Sequence, residues 1–454
     1  NGGRFNRATD PVAGAGPQGD LYLQSLASVQ GIFALSAIVV SRSTDNGATW
    51  SAPATVFAAT PSSPAPDKNW LAVNDHAATA TSGRLVTTWT GFVRNAAGIV
   101  TSSHLLASIS DDRGITWSPP LNVTAVGTFH QGTQPVFLPD GSLVLVYITF
   151  LDENNATTIN IECRRSADGG RTFPGAASPV VPLLLAWDDP QLRDGVFLPS
   201  AAVARRSGDL FVTYVAIEDG TPRVFVTRSA DQGTSWSRPV IASDQPSGIS
   251  VANPAVAVSP DGRTVSVLFM DKRNAPEGRD QVDFYLALSF DGGTTWQPNL
   301  RLSEMSSEIR LAPPTPRGTM LGDYFAIAPS LAADHPSVAI WCDTRAGNSD
   351  PFVARFAPLR IPDFAAWRVA HFSRTELAGS RSSSLADADD DGVSNETEFL
   401  LATDPKRTES GEVAIVFDAE DSRSIAWLPS RSWRAMPSTP PKCANDSVAK
   451  RGSR

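Results

Sequence analysis

Apolar and polar positions alternate along this chain in short runs separated by turn residues. Val136-Phe137-Leu138 leads through Pro139-Asp140-Gly141 into Leu143-Val144-Leu145-Val146-Tyr147. Ala255-Val256-Ala257-Val258 leads through Pro260-Asp261-Gly262 into Val265-Ser266-Val267-Leu268-Phe269, and Val203-Ala204 through Ser207-Gly208-Asp209 into Leu210-Phe211-Val212-Thr213-Tyr214. Apolar, β-branched runs bounded by Gly, Pro and Asp read as strands. An Asp-Gly or Gly-Asp pair between two such runs reads as a hairpin. Helical periodicity is nearly absent before residue 360.

One phrase recurs at the end of a strand. It reads SRSTDNGATW (41–50), SISDDRGITW (108–117), RRSADGGRTF (164–173), TRSADQGTSW (227–236) and ALSFDGGTTW (287–296). Each reduces to Ser-x-Asp-x-Gly-x-Thr/Ser-Trp/Phe, and the serines are separated by 67, 56, 63 and 60 residues. A near-constant period marks a repeated supersecondary unit. The Asp accepts N–H bonds inside the turn and the Gly supplies a positive φ. The aromatic residue buries its ring between units. These roles are structural.

A hairpin precedes each phrase and a short strand such as Arg238-Pro239-Val240-Ile241 follows it. Four strands per unit of roughly 60 residues make a β-propeller blade. Five phrases give five blades. A sixth is expected from Ala339-Ile340-Trp341-Cys342-Asp343-Thr344-Arg345 and the run to Phe352, without a phrase and with three strands before Pro362. The N-terminus, about Arg4 to Thr9, is expected to supply its outer strand and close the ring, leaving no free sheet edge. The predicted fold class is therefore all-β: a six-bladed propeller of four-stranded antiparallel blades over residues 1–360. A helix plus calcium-loop module at 361–405 and a largely disordered tail at 406–454 follow.

Charge and length restrict the function. The 454 residues carry a net charge of −9, which argues against a duplex nucleic acid partner. No apolar stretch reaches the length of a membrane span, and Gly31 to Val40 reads as a strand. The start at Asn1 suggests a mature or truncated, exported form. Cys163, Cys342 and Cys443 have no disulfide or metal spacing. A monomer is expected.

After Pro362 the pattern changes. Phe364, Trp367 and Phe372 predict a short amphipathic helix. Asp387-Ala-Asp389-Asp-Asp391-Gly392-Val393-Ser-Asn395-Glu-Thr-Glu398 then fits the twelve-position calcium-loop pattern. Oxygens of Asp387, Asp389, Asp391, Val393 (backbone), Asn395 and Glu398 converge on one Ca2+ in such a loop. Val393 puts the apolar residue at position seven, where a regulatory EF-hand has it at eight, and the segment resembles the loops of bacterial dockerins and thrombospondin type-3-like repeats. A solvated acidic linker is the plain alternative. Calcium binding implies an extracellular setting. A helix is expected at Glu396 to Ala402, and Val413 to Phe417 is one isolated strand-like run in the tail.

The recurring phrase resembles the Asp-box, or BNR repeat, of the sialidase (neuraminidase) superfamily, over residues 1 to about 360. The resemblance implies a glycoside hydrolase that releases terminal sialic acid. It also implies three arginines clamping the sugar carboxylate, a Tyr nucleophile activated by a Glu, and an Asp acid–base. Tyr324, in Gly322-Asp323-Tyr324-Phe325, opens the last blade where the nucleophile belongs, and Glu218 is the candidate partner. Two parts depart from the pattern. Thr9-Asp10-Pro11 stands where the family has Arg-Ile-Pro, and no carboxylate lies between Asp20 and Asp45 to serve as the acid–base. Asp-boxes also occur in non-enzymatic propellers.

The phrases and the Pro-Asp-Gly turns fall on one face, so a site belongs on the other, in the second-to-third loops and inter-blade crossings. There the chain places Asp271-Lys272-Arg273 and Asp343-Thr344-Arg345, and the crossings add Asp67-Lys68-Asn69-Trp70, His130, Asp189, Arg317 and Asp323. Tyr324, Asp271 and Glu218 are the catalytic candidates. Arg273, Arg345, Asp343, Arg317, Asp67, Lys68 and Asp323 are the substrate-binding candidates. An Asp and an Arg two apart also pair with each other, and a lone His130 reads more readily as a satisfied loop histidine than as a catalyst. Two functions remain open: a secreted glycan-cleaving enzyme of exo-sialidase type with no catalytic cofactor, or a non-catalytic propeller that binds carbohydrate or protein.

Overall fold

Asp-Gly turns close the hairpins where the alternation changes phase. In blade three Leu143 pairs with Phe137 across one hairpin and with Ser166 across the next. The computed structural model describes residues 5–29, 32–151, 158–185, 189, 191–192, 198–276, 280–315, 318–323, 325–330, 337–356, 364, 368, 371–390, 394–395 and 405–406, together with the backbone of 411–417 and 423–429. The chain forms two units, Asn1–Pro358 and Leu359–Arg454.

The first unit is a six-bladed propeller. Blade one contains β1 (Arg7–Ala15), β2 (Leu21–Val29), β3 (Ile32–Ser43) and β4 (Ala54–Ala58). Blade two contains β5 (Ala65–Val73), β6 (Leu85–Arg94), β7 (Val100–Ser110) and β8 (Leu121–Asn122). Blade three contains β9 (His130–Phe137), β10 (Leu143–Phe150), β11 (Thr158–Ser166) and β12 (Ser178–Leu185). Blade four contains β13 (Ser200–Val203), β14 (Leu210–Glu218), β15 (Thr221–Ser229) and β16 (Val240–Ile241). Blade five contains β17 (Val251–Val258), β18 (Val265–Asp271), β19 (Gln281–Ser289) and β20 (Leu300–Arg301), with β21 (Ser307–Glu308) added beside β19. A small hairpin, β22 (Pro314–Thr315) and β23 (Gly318–Thr319), precedes blade six, which contains β24 (Ala326–Ala328), β25 (Ser337–Asp343) and β26 (Asp350–Phe356). All ladders within the blades are antiparallel, and first strands of successive blades are neighbours from β1 to β24.

Apolar faces of adjacent blades make the core. Ile38, Leu71, Leu85 and Trp89 fill the space between blades one and two, and Phe211, Val226, Val256 and Phe269 that between four and five. Phe284 of blade five stacks on Trp341 of blade six at 5.2 Å and meets Phe325 edge-on at 5.2 Å.

The recurring turns are self-contained hydrogen-bond cages. In blade four Ser229 Oγ donates to Asp231 (2.8 Å) and accepts from the Gly233 N–H (2.8 Å), while Asp231 accepts from Ser235 N and Oγ at 2.8 and 2.5 Å. Gly233 has φ +88° there. Asp45 repeats the pattern with Thr49, and Asp168 with Thr172. The turns also clasp the preceding blade. Arg113 binds Asp20 (2.6 Å), Arg171 binds Asp111 (2.5 Å), and Arg84 reaches both Asp111 and the Asp168 carbonyl at 2.6 Å.

The N-terminal expectation is corrected. Arg7–Thr9 open the first strand of blade one and do not form an outer strand of blade six. A local hairpin closed by Gly16 N–H to Asp20 C=O (2.8 Å) costs little loop entropy, and Val12 packs into the core between blades one and two. Among the described residues blade six has three strands.

In the second unit Phe372 and Ala388 form a small core, with Phe364 and Leu377 against it. Ser373 and Glu376 make a capping box that starts α1 (Arg374–Leu377). The helix expected at Glu396 to Ala402 lies outside the described residues. The tail expectation is amended too: β27 (Gly411–Phe417) pairs with β28 (Arg423–Pro429). Each segment holds a short apolar run, Val413–Phe417 and Ile425–Leu428, of the kind that pairs as a strand once a partner run is available. Among the described residues no helix is long and apolar enough to cross a membrane.

Candidate functional site

First strands line the propeller axis, and four of them lose register near their start. The breaks fall between Thr9 and Val12, Asp67 and Trp70, Gln131 and Gln134, and Ala252 and Ala255. Each contains one residue with positive φ: Asp10 (52°), Lys68 (53°), Gly132 (71°) and Asn253 (49°). A bulge re-aims the side chains at the break. Holding a non-glycine residue there costs about 1–2 kcal/mol, which surrounding structure must offset.

These bulges bring Asp10, Asp67 and Lys68 to one place with Asp323, which stands just before β24. Lys68 is only 4% exposed, and its ammonium feels Asp323, Asp10 and Asp67. Burial pulls its pKa down to about 7 against the pull of those carboxylates. Asp10 moves the other way, up to about 6, through burial first and then the neighbouring Asp67. A polar layer fixes the cluster. Asn69 Nδ2 donates to the Asp10 carbonyl (3.1 Å) and to Gln24 Oε1 (2.9 Å), and Asn253 Nδ2 donates to the Gly322 carbonyl (3.0 Å). Gln134 Oε1 accepts from Ala201 N–H at 2.7 Å. A narrow pocket lined by Lys68, Gln134, Ser200, Asn253 and Asp323 opens beside it.

The Asp-x-Arg motifs form rim supports. Arg273 donates through Nε and an η nitrogen to Asp271 (2.9 and 2.7 Å), its other η nitrogen reaches Asp244 (2.7 Å), and its guanidinium lies 4.1 Å from the Tyr285 ring centroid. Burial pushes the Asp271 carboxyl up while Arg273 opposes it. Arg345 repeats this with Asp343 (2.9 and 2.6 Å) over Phe352 at 4.5 Å. Lys272 pairs with Asp189 at 2.6 Å, and Ser250 Oγ donates to the same carboxylate at 2.6 Å. Both arginines therefore face their own aspartates, and among the described residues no three arginines are joined at one point.

The sequence candidates thus divide. Asp67, Lys68 and Asp323 come together. Asp271 pairs with Arg273, and Asp343 with Arg345. Glu218 is exposed at the tip of the β14–β15 hairpin, a strand outward from the axis. Tyr324 and Arg317 lie outside the described residues. Sequence reasoning missed Asp10, Gln24, Gln134 and Asn253. The one available signal was the repeated Asp-Pro and Asn-Pro step at Asp10-Pro11 and Asn253-Pro254, each near a first strand's start.

In the second unit Asp391, Val393 and Glu398 lie outside the described residues, and among the described residues no group of three or more His, Cys, Asp or Glu side chains could hold a metal. Asn395 is fully buried; its Nδ2 donates to the Arg381 and Ser383 carbonyls at 2.8 Å, which turns Oδ1 the other way, where it has no hydrogen bond. Asp390 has φ +61°. A buried amide oxygen without a hydrogen bond among the described residues, at this loop position, fits an oxygen ligand of a cation.

The BNR/Asp-box repeat model matches residues 108–119, the turn of blade two. No curated protein sequence matches the chain. A protein of unknown function from Dyadobacter fermentans is similar in structure, with 16% identity, a TM-score of 0.50, and coverage of 76% of this chain and 93% of that one. The Hadza microbial sialidase Hz136 is similar at 18% identity and TM-score 0.48, over 77% of this chain. This chain spans 65% of that sialidase's length. The Penicillium chrysogenum alpha-L-arabinanase, solved with arabinobiose, is similar at 15% identity and TM-score 0.46, covering 78% of this chain and 95% of that one. At these identities the likeness is one of fold.

Proposed function

We propose that the propeller acts on glycans at the Asp10–Asp67–Lys68–Asp323 cluster, as a glycoside hydrolase working through paired carboxylates. The observation that carries this reading is the convergence of three carboxylates on one buried lysine at the axis. Burial and Asp67 keep Asp10 protonated in mildly acid solution (pKa about 6), as a general acid requires. A second carboxylate of the cluster then faces the sugar as base or nucleophile. Lys68 limits the mutual repulsion of the carboxylates.

The exo-sialidase form of this reading needs guanidinium groups for a sugar carboxylate. Arg273 and Arg345 are engaged by Asp271 and Asp343, and the cluster itself carries three acids against one base. A neutral or amino sugar suits that charge better than sialic acid. Tyr324 as nucleophile and Arg317 as clamp remain the sialidase candidates. A panel of 4-nitrophenyl glycosides that includes an α-sialoside decides the matter. Turnover of a neutral glycoside, lost in Asp10→Asn, supports the carboxylate reading. Turnover of the sialoside alone, lost in Tyr324→Phe and kept in Asp10→Asn, overturns it.

The second reading is a non-catalytic glycan-binding propeller, favoured by the narrowness of the pocket beside Lys68. Binding on a glycan array without turnover of any glycoside selects it. We also propose that the protein is exported and monomeric and that the 387–398 loop binds Ca2+. Calorimetry should register one calcium-binding event that Asp389→Ala removes; no event in the parent protein refutes the loop.

A further inference from the structure

The four bulges put one residue each in the same register of a first strand: Asp10, Lys68, Gly132 and Asn253, all with positive φ. Blade three shows where a side chain at this position points. A Cβ on Gly132 would stand 2.7 Å from Leu198 Cδ2, and Leu198 is a wall of the pocket beside Lys68. Lys68 and Asn253 line that same pocket. The bulge position thus faces the pocket from blades two, three and five.

Blade three also shows that the position folds with glycine, which takes a positive φ at no steric cost. Asn253 keeps a side chain there instead. It is 3% exposed, with φ 49°. Its Nδ2 donates to the Gly322 carbonyl at 3.0 Å, and its Oδ1 is buried without a hydrogen-bond partner among the described residues. A buried acceptor left unpaired is destabilising, so this oxygen does nothing for the fold. A donor brought in by a ligand supplies the missing partner. The rest of the lining selects that donor. Leu198, Pro199, Pro254 and Phe325 make apolar walls around a narrow space. The group that fits is slender, apolar along its sides and a donor at its tip. The hydroxymethyl arm of a hexose has that form, with its CH2 against the walls and its O–H on Asn253 Oδ1. An ionised carboxylate arm has no proton to give.

We infer that Asn253 is a specificity-determining residue of the axial site, and that its Oδ1 accepts the 6-hydroxyl of a hexose. The inference rests on the glycan reading of the Asp10–Asp67–Lys68–Asp323 cluster and names the sugar class for it.

The test uses the full chain and 4-nitrophenyl glycosides in pairs, each as both anomers. Glucoside is set against xyloside, which lacks the hydroxymethyl arm, and galactoside against 6-deoxygalactoside, which lacks only its hydroxyl. Selectivity within a pair is a ratio of kcat/KM, so a uniform loss of activity in a variant cancels. The parent protein is expected to prefer galactoside to its deoxy partner by about tenfold, for one hydrogen bond, and glucoside to xyloside by more, because a buried CH2 is lost as well. Where no glycoside is turned over, saturation-transfer NMR on the same four sugars reads the preference as affinity. Asn253→Gly should bring the ratio close to one, with a melting temperature within about 2 °C of the parent's, since glycine accepts this φ. Asn253→Asp keeps an acceptor and should keep the preference. A structural asparagine behaves the other way: Asn253→Gly then lowers the melting temperature and leaves the ratio alone, which overturns the inference. Equal or reversed rates within the pairs in the parent protein also overturn it and leave the axial cluster standing. Neither turnover nor binding of any of the sugars overturns both.

Discussion

Aspartate is used in opposite ways on the two faces of this propeller. On the turn face each Asp-box carboxylate is surrounded by donors. The Thr49 hydroxyl and then its backbone N–H hold Asp45 at about 2, and the Ser235 hydroxyl and then its N–H do the same for Asp231. Asp168 also falls to about 2, because the Ser166 and Thr172 hydroxyls outweigh its slight burial. On the axial face Asp10 is buried with another acid, Asp67, beside it, and it rises to about 6. Residue type and backbone strain are shared; Asn46 and Asp10 both have positive φ. Burial and the neighbouring acid on one face, and the donors aimed at the oxygens on the other, make the difference. A carboxylate saturated with donors holds a turn, and one buried beside another acid can exchange a proton.

The largest break in this comparison is Asp10→Asn. It should lower kcat on whichever glycoside proves to be the substrate by about 100- to 10,000-fold, with the melting temperature nearly unchanged; a smaller loss shows that Asp10 is only polar scenery. Arg273→Met comes next. Asp271 has no exposed surface, and stranding a buried charge costs about 3–5 kcal/mol, readable by urea unfolding. A loss under about 1 kcal/mol means that Asp271 is not held by its arginine. Asp168→Ala removes three hydrogen bonds of one box and should cost about 1–2 kcal/mol with activity intact. Its contribution also has a pH sign. The folded pKa lies below the ordinary 3.8, so the stabilisation is present above that value and is lost as pH falls through about 2. Asp10 runs oppositely: its share is present below 3.8 and is lost as pH rises through about 6. The smallest effect is that of Lys68→Met, which removes a cation that lowers the Asp10 pKa and should move the alkaline limb of the pH–rate profile up by about one pH unit. A limb that does not move detaches Lys68 from the acid.

The two faces also differ in how far sequence discloses them. Each turn is closed within eight residues, so Ser229, Asp231, Gly233 and Ser235 announce their bonds in their spacing. The axial cluster joins Asp10, Asp67 and Asp323 from three blades, and no local phrase records that meeting. Asp67, Lys68 and Asp323 were found because they lie in crossings on the correct face. Asp10 was passed over because Thr9-Asp10-Pro11 lacks the arginine that the family resemblance puts there. The three-strand count of blade six sent Arg4 to Thr9 toward it, although a hairpin to Leu21–Val29 was available a few residues away. Asp271 and Arg273 were visible as a motif, but only their distances decide that they serve each other.

The arginine clasps between neighbouring turns carry a consequence for how the molecule comes apart. Arg113 ties blade two to blade one, and Arg84 and Arg171 tie blades two and three. Such a ring behaves as a row of nearest-neighbour couplings, and its opening starts at the weakest link. Blade six has no Asp-box turn to clasp its neighbour. Amide hydrogen exchange should therefore be fastest in β24–β26 and slow progressively back toward blade three, giving a ring assembled from units of similar design a defined direction of unravelling.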